Sequence, residues 1–190
     1  MAEIKTKETI PFWLAVGITA IIFLPLTIFL GKFNIPLWVS FIVWAEFFTF
    51  GATVKKAGKF ILLAFPAGAA ICALGFIASF SLSAALPGLG GPSGSGMWGM
   101  WIGFGVAVCV LVYVMKFSKV FSEGSLAYFN GMTMMIAVLF TNSFPKGAEM
   151  TIQMNTVIAC LWTIVAGYFG LFLGWFNMAI TFPRKVAQQQ

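Results

Sequence analysis

Histidine and aspartate are missing from this chain, and charged side chains of every kind make up only 8% of it. Without histidine there is no ready proton shuttle near neutral pH, and the commonest metal ligand is gone. Without aspartate, and with its glutamates scattered singly, the chain offers no acid–base pair, so it reads as a non-enzyme. Cysteine is scarce: Cys72, Cys109 and Cys160 lie in separate apolar runs with no CxxC spacing. They read as small packing residues and not as a metal or redox centre. No cofactor motif is present either. The stretch "LPGLGGPSGSG" (86–96) is not followed by the lysine of a phosphate loop. It reads as a flexible connection or as a lid over a pore.

What the chain does have is apolar bulk, 61% of its residues. A soluble domain carries roughly 25% charged residues, so the expectation is an integral membrane protein, in one domain spanning 1–190. Six apolar runs stand out, at about 11–30, 36–54, 60–86, 97–115, 126–144 and 150–182. An α-helix needs about 20 residues to cross a bilayer, and each run meets that length closely enough to predict an all-α bundle of six transmembrane helices. The first run is too long for a signal core and lacks a cleavage site, so it reads as a retained span. The fifth is diluted by Asn130, Thr133, Thr141 and Asn142, which leaves a re-entrant segment open. Pro25 and Pro66 are candidate kinks.

The net charge of +6 follows the connections and not a nucleic-acid-binding face. Lys5, Lys7, Lys55, Lys56, Lys59, Lys116, Lys119, Arg184 and Lys185 fall on one side of a six-span arrangement, against Lys32 and Lys146 on the other. The positive-inside rule then predicts an inner-membrane protein with both termini in the cytoplasm. A 3+3 inverted repeat is compatible with this build. "FGATVKKAGKF" (50–60) overlays "FTNSFPKGAEM" (140–150) with Phe50 on Phe140 and Lys56 on Lys146.

Small and polar residues form seams. In the last run Gln153, Thr156, Cys160, Thr163, Gly167, Gly170, Gly174 and Asn177 recur at steps of three and four, keeping one helix face narrow. Gly68, Cys72, Gly75 and Ser79 do the same in the third run, and Gly99 and Gly103 in the fourth. Such seams read as close helix contacts or as the lining of a pore.

Glu46 is the outlier. It sits in "PLWVSFIVWAEFFTFGATVKK" (36–56), near the middle of the second run. An ionised side chain at mid-bilayer costs about 3 kcal/mol on insertion scales. No Lys or Arg lies within a run to pair with it. It must face a polar interior, stay protonated, or find hydrogen bonds. Two readings follow: a structural acid held between helices, or a station on a solute or proton path. For the path the candidates are Glu46, Thr49, Thr53, Asn130, Thr133, Gln153 and Thr156, with Trp44, Phe48 and Phe50 as an aromatic constriction.

The runs "IPLWVSFIVWAEFFTFGA" and "FILLAFPAGAAICALGF", with "SLAYFNGMTMMIAVLF" and "VIACLWTIVAGYFGLFLG", resemble a family of small bacterial inner-membrane proteins. That family is defined by domain of unknown function number one thousand and ninety-seven. The resemblance covers about Phe12 to Trp175 and implies no substrate, so it carries no site residues over. Glu46 stands where it leads one to expect a neutral residue, and Val54-Lys55-Lys56 where it leads one to expect a Pro–Gly turn. The build also resembles six-span urea and amide channels. The functional expectation is a channel or facilitator for a small neutral or weakly charged solute, without cofactor or metal, working as a homo-oligomer. The alternatives are a non-catalytic subunit of a larger membrane complex and a proton-coupled transporter.

Overall fold

The computed structural model of the protein describes residues 5–6, 8–29, 33, 35–85, 97–145, 150–182 and 185–186. The connection 86–96 and four charges of the orientation pattern, Lys7, Lys32, Lys146 and Arg184, lie outside the described residues. The architecture is helical. The first run gives α1 (Phe12–Phe23) and α2 (Leu26–Phe29), separated at Leu24–Pro25 because proline cannot supply the next helical N–H. The second gives α3 (Leu37–Thr49), the third α4 (Val54–Ala85) and the fourth α5 (Met97–Val114). A 3-10 turn at Met115–Phe117 and a short α6 (Lys119–Glu123) lead to α7 (Ser125–Phe140) and α8 (Ile152–Thr181). Beside the helices, Lys5–Thr6 pairs antiparallel with Lys185–Val186, which brings the two ends of the described chain together.

Among the described residues three helices are long and apolar enough to cross a membrane, over Val54–Ala85, Trp98–Phe117 and Ile152–Thr181. The other apolar helices, α1, α3 and α7, have 12, 13 and 16 residues, roughly 18–24 Å at 1.5 Å per residue. Pro66 does not interrupt α4. It leaves the carbonyl of Leu62 without a helical donor, and the Tyr168 hydroxyl of α8 donates to that oxygen at 3.2 Å.

The packing has a crossed plan. α4 and α8 run in opposite directions through the centre, with the Phe65 ring against Gly167. α3 lies along α8 and in its direction: Ser40 Oγ donates to the Ala166 carbonyl at 2.7 Å, and the Phe47 ring sits on Gly174. α7 lies along α4 in the same way. Lys59 and Glu123 pair at 3.3 Å at one end, and the Phe76 and Phe140 rings meet at the other. α1 packs on α8, and α5 packs on α4. Exchanging the first three apolar runs for the last three therefore reproduces the set of neighbours.

The seams are sites of close approach. A Cβ at Gly68 would stand 1.8 Å from the Tyr128 carbonyl oxygen, and one at Gly131 2.0 Å from that of Phe65, so α4 and α7 touch backbone to backbone. Gly99, Gly103 and Ala107 of α5 meet Ser83, Ser79 and Gly75 of α4 in antiparallel register. Along α8 the positions Thr156, Cys160, Thr163, Gly167, Gly170, Gly174 and Asn177 are all buried, with Gly170 and Gly174 filled by α3. This is contact in the sense that matters in lipid, where small residues let backbones approach.

α3 and α7 also end alike. Phe50 N donates to Glu46 O, Gly51 N to Phe48 O and Ala52 N to Phe47 O. Thr141 N donates to Ala137 O, Asn142 N to Leu139 O and Ser143 N to Val138 O. Both are Schellman caps, which place a left-handed residue just past the helix. Gly51 has φ 93° and Asn142 φ 55° in that place. The caps align Phe50 with Thr141, one residue away from the sequence overlay, because cap geometry and not aromatic identity sets the register.

Candidate functional site

Because the Schellman cap stops α3 at Thr49, Glu46 lies in the helix's last turn and not near its middle. Its neighbours on the chain, Phe47 and Val43, turn toward α8, where Gly174 and Gly170 receive them. Glu46 itself turns toward α7 and is 3% exposed. There the Asn130 amide nitrogen donates to its Oε1. The other oxygen, Oε2, has no hydrogen-bond partner among the described residues. The only ion pair among those residues joins exposed Lys59 and Glu123, so no cation answers this carboxylate. A buried carboxylate held by one neutral amide is an acceptor with capacity to spare.

The remaining path residues do not gather around it. Thr49 and Thr133 are exposed, and their hydroxyls donate back to the carbonyls of Ala45 and Phe129. Thr53 is exposed and accepts from Lys56 N at the start of α4. Gln153 and Thr156 open α8; Thr156 is buried and donates to Ile152 O, while Gln153 lines an outer groove with Met154, Val157 and Ile158. The aromatic trio is packed. Phe48 meets Phe12 edge-on at 5.1 Å and lies beside Trp44, and Phe50 lies 4.8 Å from Phe60. These contacts tie α3 to α1 and α4. Trp44 is buried with its indole nitrogen unpartnered.

Five grooves on the surface of the described residues are mainly apolar. One of about 580 Å³ runs along the outer face of α5, lined by Ile102, Gly105, Val106, Cys109, Val110 and Tyr113. Another of about 340 Å³ lies between Val54 and the Tyr168–Trp175 face of α8. Neither these nor the three smaller ones include Glu46. Among the described residues no group of three potential metal ligands comes together.

Two features escaped the sequence reading. Asn177 is fully buried, and both polar atoms of its carboxamide lack partners among the described residues. Its place in the α8 seam marked it as inward-facing but not as unsatisfied. Tyr128 is fully buried on α7 and its hydroxyl donates to Leu111 O of α5 at 3.0 Å. Nothing in its local sequence separates it from an interfacial tyrosine.

Comparison with curated proteins and with solved structures finds no match. The family model described as "Protein of unknown function (DUF1097)" matches residues 13–181, from α1 to the last residue of α8, and the chain belongs to that family.

Proposed function

We propose that the chain is a six-span inner-membrane protein made of two inverted three-helix halves, and that it conducts a small neutral or weakly charged solute past Glu46 and Asn130. The observation that carries this reading is the Glu46 carboxylate, buried where α3 of one half meets α7 of the other, held by a neutral amide and with one oxygen unpartnered. A purely structural acid is expected to have both oxygens satisfied, since an unpaired buried acceptor costs about 1–3 kcal/mol. The halves are supported by the exchangeable neighbours of α4 and α8 and by the matched caps of α3 and α7. Short helices at corresponding places in two halves are where such folds put their binding sites. On this reading the described conformation is the closed one, since Glu46 is 3% exposed and lines none of the five grooves above.

Cytoplasmic termini suit the arrangement. Lys55, Lys56 and Lys59 at the start of α4 share one end of the bundle with Lys116, Lys119 and the Lys59–Glu123 pair. The test is uptake of a panel of small uncharged and weakly acidic solutes by vesicles containing the purified protein. Wild type is expected to admit at least one faster than empty vesicles, and Glu46→Gln to change that rate about tenfold or more. Equal rates for both proteins would remove Glu46 from the path.

A second reading is favoured by α5. Its outer face exposes Trp98, Trp101, Ile102, Val106, Val110 and Tyr113, and a side chain at Gly105 would meet nothing within 4 Å. Such a face suits a helix of another subunit, from a second copy or from a larger complex. Gentle purification that yields one stable heteromer would favour the complex over the homo-oligomer.

A further inference from the structure

The position of Glu46 carries more than a hydrogen bond. The last turn of an α-helix bears partial negative charge from its carbonyl groups, so carboxylates are favoured at helix starts and disfavoured at helix ends. Glu46 is buried in the last turn of α3, where burial and the helix dipole act in the same unfavourable direction.

Among the described side chains nothing around it supplies positive charge. On α3 no other titratable group is present, and α1 has none. On α4, Lys55, Lys56 and Lys59 are exposed, Lys59 is engaged by Glu123, and Cys72 is neutral packing. On α7, Tyr128 spends its hydroxyl on Leu111 O. On α8, Tyr168 donates to Leu62 O, and Cys160 is a free buried thiol. Asn130 satisfies Oε1 alone.

A second unsatisfied group stands at the same end of the bundle. Gly174 of α8 receives the Phe47 ring, next in sequence to Glu46. Asn177 follows one helical turn later in the direction that α3 also runs, with its carboxamide oxygen and nitrogen buried and unpartnered. The free Glu46 oxygen is thus buried at a helix C-terminus with no cation beside it among the described residues. In membrane proteins helix C-terminal ends serve sodium ions and protons.

We propose that Glu46 holds an exchangeable small monovalent cation, its free oxygen accepting a proton or ligating a sodium ion. The inference rests on the reading of Glu46 and Asn130 as a working station and names the ion that accompanies the solute. Bound, the cation neutralises the carboxylate and lets α3 and α7 close on each other. Released, it leaves a charge that favours water entry between them.

The test uses thermal unfolding of the purified full-length protein in detergent, so it does not depend on transport. Sodium chloride replaces choline chloride at constant ionic strength in one series, and pH varies without sodium in the other. A ligand that binds the folded state raises the midpoint, by about 5–10 °C at a hundredfold excess over Kd for a chain of this size. A sodium site gives a saturable rise in the first series. A proton site gives a rise as pH falls in the second. Glu46→Gln is expected to flatten whichever response wild type shows. Wild type flat in both series, or a variant that responds as wild type does, overturns the proposal. Should the variant fail to fold, a hydrophobic carbodiimide on wild type gives the answer. Labelling of Glu46, read by mass spectrometry, that falls with added sodium or rising pH supports the site, and labelling indifferent to both rejects it. A cation response without solute uptake keeps the site and removes permeation; uptake without a cation response does the reverse.

Discussion

α3 and α7 end in the same three backbone bonds, and each runs along a long central helix in that helix's own direction, yet only α3 carries a buried acid. Where Phe50 caps on Glu46, its counterpart Thr141 caps on Ala137. The same cap is therefore made with alanine in that place, so the cap does not call for an acid, and burying one is costly all the same. The contacts differ in a second way. α7 meets α4 backbone to backbone at both Gly68 and Gly131, whereas α3 meets α8 by backbone at Gly170, under Ser40 O, and by side chain at Gly174, under the Phe47 ring. The first contact is backbone at both glycines, and the second is side chain at one of them.

The sharpest way to break that contrast is to add one methyl group to each contact. Gly68→Ala puts a carbon 1.8 Å from a backbone oxygen that cannot move without shifting α7, so a loss of about 3 kcal/mol or more is expected. Gly174→Ala puts its carbon 2.4 Å from the Phe47 ring, a side chain and not backbone, with a smaller expected loss of about 2 kcal/mol. Thermal unfolding of the two variants orders them. Equal losses would mean the two contacts are equally stiff.

A smaller effect distinguishes the caps. Gly51 holds φ 93°, a conformation glycine adopts freely, and a side chain there would also press on Lys56 at 3.2 Å. Gly51→Ala is expected to cost about 1 kcal/mol, while Asn142→Gly, at a position already left-handed, changes stability by less than about 0.5 kcal/mol. A costly Asn142→Gly would show that the second cap depends on its side chain and that the two caps are alike in backbone only.

Much of this was legible in the residues. The six apolar runs locate the helices because hydrophobic length is a strong signal, and the three-and-four spacing of small residues marks the buried face of α8. Helix ends were not legible. Gly51 and Asn142 stop α3 and α7 early through backbone conformation, which composition does not reveal, and so Glu46 moves from the centre of a run to the last turn of a helix. The overlay of 50–60 on 140–150 differs from the alignment of the caps by one residue for the same reason. Asn130 was within reach because few polar residues in the runs were available as partners. The threonines carried less information, since Thr49 and Thr133 donate their hydroxyls to the carbonyl four residues back and so do not by themselves mark a polar interior. Nothing short of three-dimensional register places Asn177 at the same end of the bundle as Glu46.

The contact between α3 and α7 is tested most directly by a double-mutant cycle on thermal unfolding, with Glu46→Ala, Asn130→Ala and the pair. If the carboxylate and the amide hold α3 and α7 together, the two losses are non-additive by about 1–3 kcal/mol, as for a hydrogen bond to a charged group. Losses that add within about 0.3 kcal/mol would mean that Glu46 and Asn130 do not act on each other, and the buried acid would have to be explained without its partner.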